Sequence, residues 1–123
     1  PIVIVARAWP MLVAARGCVV NVSSMASIDP FRGFTAYAAS KSGLDSLTRS
    51  IMAEAEGTGI RAFTLNPGVV ETRMLRSLFD ESIVAKGDAM DPSEVAMEIL
   101  ACIEGRRDER IGRAHPLLPG QET

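Results

Sequence analysis

The sequence predicts an α/β fold in which a doubly wound parallel sheet carries helices on both faces. Two short runs rich in apolar and β-branched residues, CVVNVS (18–23) and IRAFTLN (60–66), have the length and composition of buried parallel strands. Each lies between stretches with a helical pattern, and the order helix–strand–helix–strand–helix is typical of parallel β-α units. With 123 residues, the chain is at most one small domain.

The amino-terminal part predicts one helix before the first strand. Residues 2–15 are mostly apolar, so we expect a largely buried helix, with Pro10 as a kink or a late start. Gly17 ends this helix, and a polar loop containing Pro30 and Gly33 follows the first strand.

The middle of the chain predicts a long helix at 36–56, which the sequence GTG (57–59) ends. After the second strand, PGVVET (67–72) turns out of the sheet. We expect a short helix at 73–79 and then a flexible stretch to Met90.

The last predicted helix has clear capping residues. Asp91 is the expected N-cap, Pro92 occupies the first helical position, and Glu94 lies three residues after the cap. We expect this helix to end near residue 104. Residues 106–123 are predicted to be a loose tail of one partial domain, 1–123, with a short strand near RIG (110–112) and loose HPLLPGQET after it.

Composition excludes several classes of function. The 13 basic and 15 acidic residues give a net charge of -2, which argues against a nucleic-acid or anionic-membrane partner. The apolar opening stretch is shorter than the ~20 residues of a membrane span, and Arg7 interrupts it. His115 is the only histidine, and Cys18 and Cys102 are far apart, so neither a zinc site nor a C-x-x-C pair is predicted. Reduced cysteines and the lack of a recognisable export signal predict the cytoplasm.

Tyr37, the only tyrosine, and Lys41, one of two lysines, share one face of the predicted long helix. The same face holds the residues expected to point into the core: Leu44, Thr48, Ile51 and Ala55. A lysine on such a face is costly unless its charge is used. A plain ion pair with Asp45 is one possible use, although Asp45 also has Arg49 four residues on, in the better acid-before-base order.

Ser23 and Ser24 follow the first strand at its carboxyl end, where open α/β sheets bind ligands. Because the next helix begins near Tyr37, a serine hydroxyl, a phenol and the ammonium of Lys41 could converge on one crevice. An ammonium close to a phenol favours the phenolate form, so the sequence predicts a proton-transfer site. For Ser23 we expect only a structural role, as a satisfied hydroxyl at the strand end.

These motifs resemble, in their order, those of the short-chain dehydrogenase/reductases. Ser24 precedes Tyr37 by 13 residues, Lys41 completes Y-x-x-x-K, NVSS lies on the preceding strand, and LNPGVVET resembles the family's P-G-x-x-x-T turn. The resemblance extends from residue 1 to about residue 105. It implies a Rossmann-like fold and an NAD(P)-dependent oxidoreductase that interconverts a carbonyl and an alcohol by hydride transfer.

The resemblance also implies a role for each matched residue. Tyr37 would be the general acid/base, Lys41 would assist it and bind the nicotinamide ribose, and Ser24 would hold the reacting oxygen. The cofactor-binding residues would be Tyr37, Lys41, Pro67, Gly68, Val70 and Thr72. NAD and NADP are not distinguished by this part of the pattern. The partners implied are a small-molecule carbonyl or alcohol and further copies of the protein, since the family commonly forms homo-oligomers through the helix before NVSS and the Tyr37 helix.

The chain departs from the family's pattern at its beginning. It has no glycine-rich phosphate-binding turn, no N-A-G stretch, and no asparagine before Asn21. We therefore expect it to be the carboxyl-terminal half of such an enzyme and to be inactive by itself.

Three alternatives stay open. A serine hydrolase would need a G-x-S-x-G elbow, which is missing, and His115 would be its only possible base. An extended-branch sugar-nucleotide epimerase or dehydratase shares Y-x-x-x-K, but NPGVVET and the short remaining chain do not favour it. A non-catalytic remnant that serves as a binding or oligomerisation module would carry the same motifs.

The segment 73–90 occupies the place of the family's substrate lid. Its apolar side chains would suit an apolar carbonyl or alcohol, or would simply pack on the domain. They are Met74, Leu75, Leu78, Phe79, Ile83 and Val84.

Overall fold

The computed structural model describes residues 1–120, which form a parallel sheet with helices on both faces. The helices and strands are α1 (Ile2–Ala15), β1 (Cys18–Val22), α2 (Thr35–Glu54), β2 (Arg61–Pro67), α3 (Arg73–Leu78), α4 (Pro92–Ile103) and β3 (Ala114–Leu117). Short 3-10 turns lie at Met25–Ser27, Lys86–Asp88 and Asp108–Arg110. The predicted α/β class and the order of its helices are confirmed.

The three strands of the described residues form one sheet in the order β1-β2-β3, and all neighbours are parallel. In the first pair, Cys18 lies opposite Arg61, and in the second, Thr64 lies opposite Ala114. Because the strands are parallel, their carboxyl ends meet at one edge of the sheet, where the candidate site lies.

The core lies on both faces of β2, whose neighbouring residues point to opposite sides of the sheet. Phe63 and Leu65 pack with Cys102 of α4 on one face. Ala62 packs on the other face with residues of α1 and α2, among them Trp9 and Ile51. This two-sided packing confirms the doubly wound arrangement.

Helix α1 differs from its prediction as a largely buried helix, because none of its residues is buried. Only one side of it, which includes Val5 and Trp9, packs against buried residues of α2 and β2. The other side leaves Ile4 72% and Met11 68% exposed. Pro10 lies inside the helix and neither ends it nor delays its start.

The start of α4 confirms the predicted capping. Asp91 accepts a hydrogen bond from the Ser93 backbone N–H at 2.8 Å, and Glu94 accepts one from the Asp91 N–H at 2.7 Å. At the other end of α4, the guanidinium of Arg61 donates to the carbonyls of Cys102 and Ile103, which satisfies two of the helix's last carbonyls.

The predicted loose tail is partly wrong. The strand lies at Ala114–Leu117 rather than at 110–112, and it includes residues predicted to be loose. Its side chains alternate between exposed and buried, with His115 and Leu117 inside, so burial and pairing with β2 hold the segment in place. Residues 121–123 of the predicted tail lie outside the described residues. Among residues 1–120, no helix is both long and apolar enough to cross a bilayer.

Candidate active site

Ser24 is held in an extended conformation just beyond the end of β1. The Ser23 N–H still donates to the Leu65 carbonyl at 2.7 Å, which continues the ladder for one more residue. Ser24 is buried and caps the following 3-10 turn, since its Oγ accepts a hydrogen bond from the Ala26 N–H at 3.1 Å. A hydroxyl that accepts one bond keeps its own proton for donation, so Ser24 can hold a ligand oxygen.

Ser23 joins the strand end to α2. Its Oγ donates to the Lys41 carbonyl at 3.0 Å and lies 3.4 Å from Ser27 Oγ. The hydroxyl at the strand end is satisfied, as predicted. The bond also fixes the turn of α2 that carries Lys41 against the end of β1.

Lys41 reaches across the same gap in the opposite direction. Its Nζ donates to the Val22 carbonyl at 2.9 Å and lies 5.7 Å from the centroid of the Tyr37 ring. The alternative pairing with Asp45 is wrong for the described residues, because the Asp45 carboxylate instead faces Asn66 Nδ2, 3.3 Å from both of its oxygens. An ammonium has three donors, so two remain for a ligand.

Asn66 is the residue of this region that the sequence analysis missed. Its side chain is fully buried at the end of β2. Its Nδ2 also donates to Ser27 Oγ at 3.0 Å and lies 3.5 Å from the Ser24 carbonyl, while its Oδ1 accepts the His115 N–H at 3.0 Å. The available signal was an amide at the end of an apolar strand, directly before the P-G turn.

The turn after β2 lies beside the end of β3. The Gly68 N–H donates to the Leu117 carbonyl at 2.9 Å, and a Cβ at Gly68 would lie 3.4 Å from Leu118. Thr72 is the N-cap of α3, and its Oγ accepts from the Leu75 N–H at 3.1 Å. Its hydroxyl proton therefore stays available to a ligand.

The segment after α3 is organised by Arg76. Its Nε donates to Glu71 at 2.7 Å, a second guanidinium nitrogen bonds the same carboxylate, and its Nη1 donates to the Val84 carbonyl at 2.7 Å. The hydrogen bond from Arg76 holds the pKa of the Glu71 carboxyl below its usual range. Arg76 thus joins the turn after β2 to the segment predicted as a lid.

A cavity of about 630 Å³ brings all the predicted site residues together. The residues of this set that line it are Ser24, Tyr37, Lys41, Pro67, Gly68, Val70 and Thr72. Its volume is in the range of small-molecule sites, ~300–1,000 Å³. Of the apolar lid residues, Met74, Leu75, Leu78 and Phe79 line it, whereas Ile83 and Val84 are not among its lining residues.

The profile of the family described as short chain dehydrogenase matches residues 1–83. The chain belongs to the short-chain dehydrogenase family. Among curated proteins, carbonyl reductase family member 4 of Danio rerio is 34% identical over 91 residues, which are 72% of this chain and 38% of that protein. Protein FixR of Bradyrhizobium diazoefficiens is 34% identical over 126 residues, covering 98% of this chain and 45% of that protein.

Solved structures of other short-chain dehydrogenases show the same fold. The 3-oxoacyl (acyl-carrier-protein) reductase of Agrobacterium tumefaciens C58, solved with NADP bound, has a TM-score of 0.80 and 25% sequence identity. The match covers 95% of this chain and 50% of that one. The short-chain dehydrogenase chain described here spans less than half the length of the two curated relatives above.

Proposed function

We propose that the protein containing this chain is an NAD(P)-dependent oxidoreductase that interconverts a carbonyl and an alcohol. The observation that carries the proposal is that Ser24, Tyr37 and Lys41 line one cavity at the carboxyl ends of the strands, together with the turn after β2. The names of the relatives support it, since one is a carbonyl reductase and a structural neighbour is a reductase with NADP bound.

The cavity suits the nicotinamide end of such a cofactor. Lys41 has two ammonium donors left for ribose hydroxyls, and Thr72 keeps its hydroxyl proton beside the turn that Gly68 opens. The residues do not extend to a pyrophosphate site, because the sequence lacks a glycine-rich turn before a helix. When bound, the cofactor supplies the hydride in reduction and accepts it in oxidation.

The proposed chemistry of the chain's own residues is proton transfer and charge stabilisation. In reduction, Tyr37 Oη gives its proton to the carbonyl oxygen while the carbonyl carbon gains the hydride, so the C=O becomes CH–OH. Ser24 Oγ donates a hydrogen bond to the same oxygen as charge develops on it. The Lys41 ammonium stabilises the phenolate left on Tyr37 until a proton returns from solvent. Oxidation follows the same steps in reverse.

Replacement of the Tyr37 hydroxyl tests this function. In the protein expressed from its complete coding sequence, Tyr37→Phe keeps the ring that packs edge-on against Phe34, at 6.2 Å between centroids, and removes only the exchangeable proton. We expect turnover with NADH or NADPH and a ketone panel to fall by about 100-fold or more, with little change in cofactor affinity. Near-normal turnover of this variant would show that Tyr37 is not the acid.

A further inference from the structure

Three phenylalanines form a continuous aromatic surface in the cavity, which we call the aromatic wall: Phe31, Phe34 and Phe79. Phe34 lies in the middle, with its ring centroid 4.4 Å from that of Phe31. The Phe34 and Phe79 rings are stacked, with centroids 5.9 Å apart and planes 20° apart. The wall therefore joins the loop before α2 to the residue that ends α3.

The aromatic wall is not part of the packed core. Phe63, on β2, is the core phenylalanine and is fully buried. By contrast, Phe31 is 49% exposed, and Phe34 and Phe79 are half-buried, all three facing the cavity. Apolar ring surface left open in a concave site is surface that a ligand can cover.

The wall also adjoins the proposed proton donor. Phe34 packs against Tyr37 edge to face, with an angle of 84° between the ring planes. Phe34 and Tyr37 line the same cavity, so a ligand that contacts Tyr37 lies beside the wall. Offset or edge-to-face arrangements with centroids ~4.5–7 Å apart are those that aromatic rings prefer, so a flat substituent would extend the existing stack.

Charge on the cavity lining favours a neutral substituent there. Among the described residues that line the cavity, Asp29 is the carboxylate and Lys41 the cation. Lys41 is bonded to the Val22 carbonyl at the end of β1, whereas Asp29 lies two residues before Phe31. A carboxylate or phosphate placed beside Asp29 would face like charge.

We propose that the aromatic wall determines specificity and selects neutral ketones or secondary alcohols that carry an aryl or other flat ring substituent. The proposal rests on the proposed function of the same cavity. It names what that function leaves open, the group attached to the reacting carbon.

The test compares three ketones on the protein expressed from its complete coding sequence: acetophenone, butan-2-one and the anion 3-oxobutanoate. With NADH or NADPH, we expect kcat/KM for acetophenone to exceed that for butan-2-one by about tenfold or more, and that for 3-oxobutanoate by a larger factor. Phe79→Leu and Phe34→Leu keep apolar volume but remove the stack. Each should lower the acetophenone to butan-2-one ratio by about 3- to 10-fold. Ile28→Ala, an exposed apolar change in the same loop that does not line the cavity, should leave the ratio unchanged.

Calorimetric binding of acetophenone to the same proteins separates this proposal from the proposed function. Turnover without a preference for acetophenone, or a ratio unchanged in both phenylalanine variants, would overturn the wall and leave the oxidoreductase standing. Binding that both variants weaken, without turnover of any ketone, would support the wall and overturn the oxidoreductase. Neither binding nor turnover would overturn both.

Discussion

The side chain of Asn66 accepts a hydrogen bond from the backbone N–H of His115, at 3.0 Å. Its amide nitrogen meanwhile faces Ser27 and the carboxylate of Asp45. One fully buried amide thus joins β3, the turn that follows Ser24, and the helix that carries Tyr37. Strand β3 and helix α2 are held in place at the end of β2 through this residue.

Loss of this amide should destabilise the protein strongly. We expect Asn66→Ala to lower the free energy of unfolding by about 2–3 kcal/mol, because the buried N–H of His115 and the buried carboxylate of Asp45 each lose a hydrogen-bond partner. Asn21→Ala is the matched control, since Asn21 Nδ2 donates to Thr48 Oγ1 at 2.8 Å within the same layer. In urea unfolding, we expect Asn21→Ala to lower the free energy of unfolding by about 1 kcal/mol less than Asn66→Ala does. Equal losses in the two variants would contradict the joining role of Asn66.

His115 should make stability depend on pH. Burial lowers its pKa in the folded protein, against the attraction of Glu98, whose Oε2 lies 3.8 Å from the ring Nε2. Arg107 and Arg110 also lower the pKa, and Glu109 opposes them. The unfolded chain then binds the proton more readily, so stability is fully present above a pH of ~6.5 and is lost as the pH falls below it.

Unfolding in urea at pH 7.5 and 5.5 measures this effect. We expect wild type to lose more free energy of unfolding on acidification than His115→Gln, by at most about 1.4 kcal/mol for each pH unit. The variant keeps the backbone N–H that bonds Asn66. Identical pH dependence of the two proteins would show that His115 does not titrate differently on folding.

The two lysines give a matched pair for cofactor binding. Lys41→Met should weaken NADH or NADPH binding by about tenfold or more, since hydrogen bonds from a charged group are worth ~1.5–3 kcal/mol. Lys86→Met removes the same charge from an exposed turn that does not line the cavity, and should have little effect. Fluorescence titration with NADH and NADPH measures the cofactor affinity of both variants. A similar loss in each would mean that only net charge matters.

The 123-residue chain by itself should bind the cofactor weakly. Tight binding needs a phosphate-binding turn at a helix N-terminus, which this sequence lacks. We expect calorimetry with NADH and NADPH to give a dissociation constant no lower than roughly millimolar, about -4 kcal/mol, and a turnover assay to give no rate. Micromolar binding would reveal a phosphate site in residues that we have not assigned.

The exposed side of α1 should mediate self-association. Ile4 and Met11 leave apolar surface uncovered there, which an interface between copies would bury. Light scattering of the protein expressed from its complete coding sequence should show an oligomer at micromolar concentration, which Ile4→Glu weakens. Ile83→Glu, at a position that is 66% exposed outside the cavity lining, is the control. A monomeric wild type would contradict the prediction.

Local chemistry made some features predictable and left others hidden. The cap at Asp91 and the shared helix face of Tyr37 and Lys41 each involve residues three or four positions apart, so both could be predicted from local spacing in the sequence. The bonds of Asn66 join residues 21 and 49 positions away, and no local pattern encodes them. The predicted burial of α1 was too high for a related reason. The apolar sequence of this helix does not indicate which of its sides packs against the rest of the chain.

The pairing of β2 with β3 can form only late in the synthesis of the chain. Thr64 pairs with Ala114, 50 residues further along, so β1 and β2 leave the ribosome long before the third strand exists. Until then the amide of Asn66 lacks its His115 partner, and the core residues Phe63 and Leu65 lack their packing partner Leu117. We expect the nascent chain to stay in a partly folded, chaperone-accessible state until Ala114–Leu117 has emerged from the ribosome and paired with β2.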